Sequence, residues 1–302
     1  MRRVGTVQAM RIYLYRLAAW LAPKLPLGLE YWLAVLAGDL LWFFAEGTRA
    51  KIEHNQRRAL GPGATPEQVS QSSRQALRNL AKIYVDEFRL PALSHEALRE
   101  QITIHGLEHL QAAHAAGQGV IVTSAHYGAP QVVGQMLAVL GYPTTVAVEH
   151  LQPEEVFQFM CNLRTSHGLR LIPVDQPLMP LVRTLRKERG IVGLAVDRNV
   201  TGSGVCLPFL GEETRIPDGP VRLALRTGAT LLLALCRRVP ENRYEAVVLP
   251  PIELPDTLED MEAAVREGTA RLIACLEPFI RERPEQWILT VPLWKSGCGE
   301  ED

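Results

Sequence analysis

One histidine in this chain stands where chemistry is usually done. Residues 117–130 read Gly-Gln-Gly-Val-Ile-Val-Thr-Ser-Ala-His-Tyr-Gly-Ala-Pro. The apolar run 120–122 predicts a buried strand. His126 follows at its carboxyl end, and Pro130 opens an apolar helix, where a missing N–H costs nothing. A polar side chain set between a strand end and a helix start is the usual place for a site in an open α/β sheet. A neutral imidazole there can take the proton of an alcohol as it attacks a carbonyl. Equally, a histidine at such a turn can do no more than satisfy backbone groups.

Two further groups follow strand-like runs. After 191–196 come Asp197-Arg198-Asn199, then the Gly/Pro-rich loops Pro208-Phe209-Leu210-Gly211 and Arg215-Ile216-Pro217-Asp218-Gly219-Pro220. After 144–148 comes Glu149-His150, with Arg164 in the helix beyond. Arg164, Arg198, Arg215 and Arg222 could converge on a phosphate-bearing ligand; as surface ion pairs and turn residues they would do nothing of the kind. The sequence carries no Gly-x-Gly-x-x-Gly, Walker loop, Gly-x-Ser-x-Gly elbow or His-Glu-x-x-His. Nucleotide-driven, serine-hydrolase and zinc-protease chemistry lose ground accordingly.

The elements that must position these residues alternate. Strands are expected at 102–104, 120–122, 144–148, 169–172, 191–196, 231–235 and 246–249. Helices are expected at 107–115, 132–140, 154–167, 178–187, 221–227 and 260–283. This alternation predicts an α/β fold, a mostly parallel central sheet flanked by helices. Upstream, 48–93 read as helices, with Thr65-Pro66-Glu67-Gln68 as a capping signal.

Residues 10–46 are unusually apolar. Leu14, Leu17 and Leu21 make one helical stripe, and Leu29, Trp32, Leu33, Leu36, Leu40, Phe43 and Phe44 another. Up to Lys51 there are seven basic and three acidic residues, in a chain with 32 basic against 33 acidic overall. The apolar run 31–45 carries Asp39 and falls short of the ~20 residues a bilayer span needs. Apolar, aromatic, basic-flanked helices too short to span predict a membrane-docking segment lying in one leaflet; a helical pair packed on the protein's own core would read the same way. The expected division is a docking segment at 1–50, an α/β domain at 51–295 and an acidic tail at 296–302. The net charge of −1 gives no nucleic-acid footprint. Five dispersed cysteines predict free thiols in a reducing compartment, with neither a disulfide frame nor a metal site.

Taken together, Ile104-His105-Gly106-Leu107-Glu108-His109-Leu110, the 117–128 stretch, Asp197-Arg198-Asn199, Leu207-Pro208-Phe209-Leu210-Gly211-Glu212 and Pro217-x-Gly219-Pro220 resemble the lysophospholipid-acyltransferase-like superfamily. Within it, the chain is similar to the branch of bacterial lipid A biosynthesis acyltransferases and mycobacterial phosphatidylinositol mannoside acyltransferase. The late Pro284-Glu285-Gln286-Trp287 also fits, so the likeness spans nearly the whole chain.

The resemblance implies transfer of a fatty acyl group, from acyl-CoA or acyl-carrier protein, to a hydroxyl of a membrane glycolipid or lysophospholipid. It implies a protein at the cytoplasmic face of an anionic membrane, with no metal and no cofactor beyond the donor substrate. His126 would be the general base, with Tyr127, Gly128, Glu149, Arg164, Arg198, Glu212 and Arg215 binding substrates. Backbone N–H groups at the following helix start could hold the oxyanion. The family motif places an acid five residues after the histidine, and here that residue is Gln131. An amide can orient an imidazole but cannot stabilise imidazolium, and amide-for-acid replacement in a catalytic triad costs orders of magnitude. Either Asp197, Glu149 or Glu212 takes over, or the chain is a lipid-binding member without catalysis.

Overall fold

The computed structural model describes residues 2–255, 260–294 and 298. The chain opens with four helices: α1 (Arg2–Leu21), α2 (Leu27–Phe44), α3 (Glu46–Leu60) and α4 (Pro66–Arg89). Then come α5 (His95–Gln101), β1 (Ile102–His105), α6 (Leu107–Ala115), β2 (Val120–Ser124), α7 (Pro130–Val139), β3 (Thr144–Val148) and α8 (Glu154–Arg164). The second half holds β4 (Arg170–Pro173), α9 (Met179–Arg186), β5 (Ile191–Ala195), β6 (Val205–Phe209) and β7 (Glu212–Ile216). It closes with α10 (Gly219–Thr227), β8 (Thr230–Val239), β9 (Arg243–Val248) and α11 (Met261–Glu282).

Among the described residues, seven strands form one sheet in the order β1-β9-β8-β2-β5-β3-β4. Its neighbours are parallel except β8 and β9. The expected mixed α/β architecture is therefore present. On one face Ile121, Val192, Leu231 and Leu233 pack with Leu181 and Leu185 of α9, Val221 of α10 and Leu272 and Leu276 of α11. On the other, Val120, Val122 and Leu232 meet Leu110 of α6 and Val132 and Met136 of α7. Both faces are apolar because a parallel sheet is covered twice. The Thr65 cap is as expected: its hydroxyl accepts from the Gln68 backbone N–H, and the Gln68 side-chain oxygen accepts from the Thr65 backbone N–H, at the start of α4.

Two expectations need correcting. The stretch read as Gly/Pro-rich loops is an antiparallel hairpin, β6 with β7, closed by Leu210 and Gly211. Both turn residues have positive φ, 52° and 93°, as a type I′ connection requires. Pro208 inside the first strand and a leucine in the left-handed region concealed it. Second, Cys206 of this hairpin is joined to Cys298 in a disulfide across 92 residues, so the five cysteines are not all free thiols. Their Cα atoms lie 5.7 Å apart, within bonding reach, a proximity that sequence spacing does not carry. The rest of the expected acidic tail, and the side chains of Arg2, Arg3 and Arg11, lie outside the described residues.

The apolar N-terminal helix α2 is built inside out. It is long and apolar enough by composition to cross a membrane, with 18 residues of mean hydropathy 1.4, but only 22% of it is buried in the protein. What it turns inward is Glu30, Tyr31, Ala34 and Gly38. Gly38 meets α4 so closely that a Cβ would stand 2.6 Å from the Arg78 Cα. Asp39, unexplained by the sequence, accepts hydrogen bonds of 2.8 Å from both Arg74 and Arg78 of α4, and these hold its carboxyl well below the usual carboxylate range. Tyr31 donates to Asp86 at 2.6 Å, and Asp86 also pairs with Arg238 of β8. The polar residues thus fasten α2 to the α/β body. Its apolar residues face outward: Trp32 is 61% exposed and Phe44 83%.

Candidate active site

Register brings the first two site residues together. β2 and β5 are adjacent and parallel, with Ser124 paired to Ala195. His126 and Asp197 each lie two residues beyond that pair, at the carboxyl edge of the sheet. The His126 Nδ1 is 2.9 Å from Asp197 Oδ1. The other carboxylate oxygen accepts from the His126 backbone N–H and from the indole Nε1 of Trp287, both at 2.8 Å. Asp197 and Trp287 are 1% and 0% exposed. In the sequence Trp287 stands only in the late Pro284–Trp287 block that carries the family resemblance; a buried indole N–H needs an acceptor, and here that acceptor is the acid.

The loop after His126 is clamped from two sides. Gly128 N–H donates to Gln286 O at 2.7 Å, Ala129 N–H to Cys236 O at 2.9 Å, and Ile288 N–H to His126 O at 2.8 Å. Gly128 has φ +60°, and a Cβ there would stand 2.0 Å from the Cys236 carbonyl oxygen. Only glycine fits. The same bonds take up the Gly128 and Ala129 N–H groups.

Burial by itself would lower the His126 pKa, but the charge and hydrogen bond of Asp197 outweigh it and the net shift is upward. Burial alone would raise the Asp197 carboxyl; the opposing His126 charge and the hydrogen bonds from His126 and Trp287 bring it below the ordinary carboxylate value. With Nδ1–H donating to Asp197, Nε2 is left as the basic nitrogen, and it has no partner among the described residues. The His126 side chain is 39% exposed, and it faces a cavity of about 570 Å³. Most of the cavity wall is aliphatic, including Val122, Val133, Val146, Val148, Met160 and Leu171. An unpartnered basic nitrogen, backed by a buried carboxylate and opening into an apolar cavity, can deprotonate a hydroxyl delivered beside an acyl chain.

Residues 3–296 match the family of bacterial lipid A biosynthesis acyltransferases. The chain belongs to that family. It is 34% identical over 268 residues to a phosphatidylinositol mannoside acyltransferase of Mycobacterium tuberculosis, covering 86% of this chain and 81% of the relative. A protein of the same name from Mycolicibacterium smegmatis is 30% identical over 261 residues, 84% of this chain and 82% of that one. A lipid A biosynthesis acyltransferase of Haemophilus influenzae is 24% identical over 212 residues, 69% of this chain and 64% of that one.

Against the family motif, Gln131 lines the cavity but makes no hydrogen bond to His126, and its Nε2 is buried without a partner. The Nδ1 contact of His126 is made by Asp197, not by residue 131. Glu149 and Arg198 line the cavity and pair with each other, one of their hydrogen bonds being 2.7 Å. Arg164 lines it too, held by Glu87 at 2.6 Å.

The other expected binding residues lie elsewhere. Tyr127 points into the core at 1% exposure, with its hydroxyl unpartnered, and Gly128 shapes the loop rather than lining the cavity. Glu212, on the hairpin, pairs with Arg58 at 2.6 Å, and Arg215 donates to Gly204 O at 3.2 Å; both are outside the cavity lining. The four arginines do not converge, since Arg222 is paired with Asp218 and Glu262.

Proposed function

We propose that the protein is a peripheral membrane O-acyltransferase that moves a fatty acyl group from a thioester donor, acyl-CoA or acyl-carrier protein, to a hydroxyl of a glycolipid. The observation that carries this is the His126–Asp197 pair, with the His126 Nε2 open to an apolar cavity. The glycolipid acceptor is favoured over a lysophospholipid by the names of the mycobacterial relatives.

In the reaction, Nε2 takes the acceptor's hydroxyl proton as the oxygen attacks the thioester carbonyl carbon. Asp197 stabilises the imidazolium that forms and holds the ring in the tautomer with Nδ1 protonated. The C–S bond of the tetrahedral intermediate then breaks, the ester remains on the acceptor, and the imidazolium returns the proton to the leaving thiolate. Arg198, tied to Glu149 at the cavity, stands where a donor or acceptor phosphate could exchange for the carboxylate.

The outward apolar face of α1 and α2 favours docking in one leaflet. Leu17, Trp20, Trp32 and Phe44 are all more than half exposed, far more apolar surface than a soluble monomer usually leaves open. Lys24 lies over the Trp20 ring at 3.0 Å, a basic group at the level where anionic headgroups would sit. Because its polar residues bind the protein body, α2 would lie along the membrane rather than cross it.

The test is a panel of acceptors, mannosylated phosphatidylinositols and lysophospholipids, given radiolabelled palmitoyl-CoA or palmitoyl-carrier protein in detergent. Alkali-labile label in the glycolipid is expected. Label confined to free fatty acid, with every acceptor and both donors, would refute the proposal.

A further inference from the structure

The segment that carries Trp287 lies between the His126 loop and the N-terminal helices. After α11, Pro284–Gln286 form a single 3-10 turn, and Trp287 N–H donates to Pro284 O at 3.0 Å. Trp287 is itself extended, at φ −88° and ψ 107°. In extended backbone the polar groups of successive residues point to opposite edges. One edge is spent on the His126 loop: Gln286 O accepts from Gly128 N–H at 2.7 Å, and Ile288 N–H donates to His126 O at 2.8 Å. The other edge, at Trp287 O, is met by α3.

The residue that meets it is Gln56, fully buried and outside the cavity lining. Its Nε2 donates to Trp287 O at 2.9 Å and to Pro284 O at 2.8 Å, so one NH2 group spans both ends of the turn. Its Oε1 accepts from the Ser72 hydroxyl of α4 at 2.6 Å. An amide NH2 has two hydrogens, and both are used; two carbonyls on one side and a hydroxyl on the other fix the amide's orientation. Asn55 and Asn79 grip the same segment, at Leu289 O and Val291 O and at Glu285 O. Of these amides, Gln56 is the one that holds the residue whose indole donates to Asp197.

We propose that Gln56 is a positioning residue for the proton transfer. It fixes the turn 284–287, the turn aims the Trp287 indole at Asp197, and the indole holds the carboxylate in line with His126 Nδ1. Its effect on rate rests on the acyl-transfer proposal, whereas its effect on the indole hydrogen bond does not. One Asp197 oxygen is shared by the indole and the His126 backbone N–H, which keeps the other on Nδ1. With the indole withdrawn, the carboxylate is free to turn, and the ring loses the partner that keeps Nδ1 protonated. A misplacement of about 1 Å in such a group can cost roughly 10²-fold in rate. The N-terminal helices, read from the sequence only as packing and docking elements, thereby reach the catalytic acid through one buried amide.

The experiment uses Gln56→Met, which keeps the unbranched shape and removes the donors, in the full chain. In ¹⁵N-labelled protein the Trp287 indole resonance, identified by its loss in Trp287→Phe, is expected to move upfield and to exchange faster with solvent. In the transfer assay kcat should fall about 10- to 100-fold, with KM for palmitoyl-CoA and for the glycolipid within about twofold. Combined with Trp287→Phe, the two losses in kcat should not multiply, because Gln56 acts through that indole. Ser72→Ala, which removes only the hydroxyl on Oε1, should move the indole resonance and kcat in the same direction, and it carries the test should Gln56→Met fail to fold. Thr214→Val, which frees Leu293 O further along the segment, should lower the unfolding temperature without changing kcat. An unmoved indole resonance, a wild-type kcat in folded Gln56→Met, or losses that multiply in the double variant would overturn the assignment and leave Gln56 a packing residue. A wild-type protein without transfer activity, in which Gln56→Met still shifts the indole resonance, would instead overturn the acyl-transfer proposal.

Discussion

Replacing Asp197 by Asn leaves the shape of the site intact and inverts its proton logic. The carboxylate accepts three N–H donors: His126 Nδ1–H at 2.9 Å on one oxygen, and His126 N–H and Trp287 Nε1–H at 2.8 Å on the other. An asparagine has one acceptor oxygen and one donor NH2. Two of the three donors, a backbone amide and an indole, cannot change tautomer, so the asparagine oxygen must face them. Its NH2 then faces Nδ1, which can respond only by giving up its proton. The ring proton moves to Nε2, and the nitrogen in the cavity becomes a donor instead of a base. The equivalent change in a serine-protease triad lowers kcat about 10⁴-fold, or roughly 5.5 kcal/mol of barrier. We expect a loss of 10³- to 10⁴-fold in kcat for Asp197→Asn, with acceptor and donor KM within a few-fold of wild type. The assay is initial-rate transfer of labelled palmitate at fixed pH, with thermal unfolding run in parallel. A folded Asp197→Asn protein within tenfold of wild-type kcat would refute the assigned roles.

Other predictions concern the same residues and the docking face. Because Asp197 raises the His126 pKa above its ordinary value of about 6.5, kcat should fall as pH drops through an inflection above that value; a pH–rate profile with its acid limb below pH 6 would contradict this. In stability, the raised His126 contributes fully below about pH 6.5 and its contribution is lost as pH rises through the folded-state pKa. Asp197, lowered from about 3.8, contributes above that value and loses its contribution on acidification, so chemical denaturation between pH 3 and 9 should show both slopes, missing in His126→Ala. Gln131→Glu should give no gain in rate, since the Nδ1 site it would serve is occupied; a tenfold increase would mean the motif acid is still wanted. Gly128→Ala, with its Cβ 2.0 Å from a carbonyl oxygen, should lower both the unfolding temperature and kcat, as circular-dichroism melts and the transfer assay would show. The double change Trp32→Asp with Phe44→Asp should cut sedimentation with anionic vesicles more than tenfold, at about 1.5–3 kcal/mol per large apolar side chain withdrawn, with little change in melting temperature.

Strand–helix alternation, the capping box of α4 and the placement of His126 at a strand end were all legible in the sequence, because each is local. Asp197 was visible as a charged residue after a strand. Its pairing with His126 was one of three options, because nothing local says that β5 inserts between β2 and β3. Trp287 gave a weaker signal: in an apolar run its indole N–H is easily read as bulk, and only the buried acid shows what the polar edge is for. The hairpin β6–β7 was hidden by Pro208 and by Leu210 at positive φ, both of which contradict strand and turn preferences. The apolar stripe of α2 was plain, but not its orientation. Glu30, Tyr31 and Asp39 look like interruptions until Arg89, Asp86, Arg74 and Arg78 are brought beneath them from residues far along the chain. The substrate-binding residues fared worst, since Glu212 and Arg215 follow family blocks in sequence while the hairpin carries them away from the cavity.

The most direct measurement is the transfer of radiolabelled palmitate into extracted bacterial lipids by the wild type and by His126→Ala, with equal amounts of folded protein. Lipid-borne ester should form with the wild type and fall by at least 10²-fold with His126→Ala, the contribution expected of a positioned general base. Equal labelling by the two proteins would contradict the assignment of His126, and with it the chemistry proposed for the cavity.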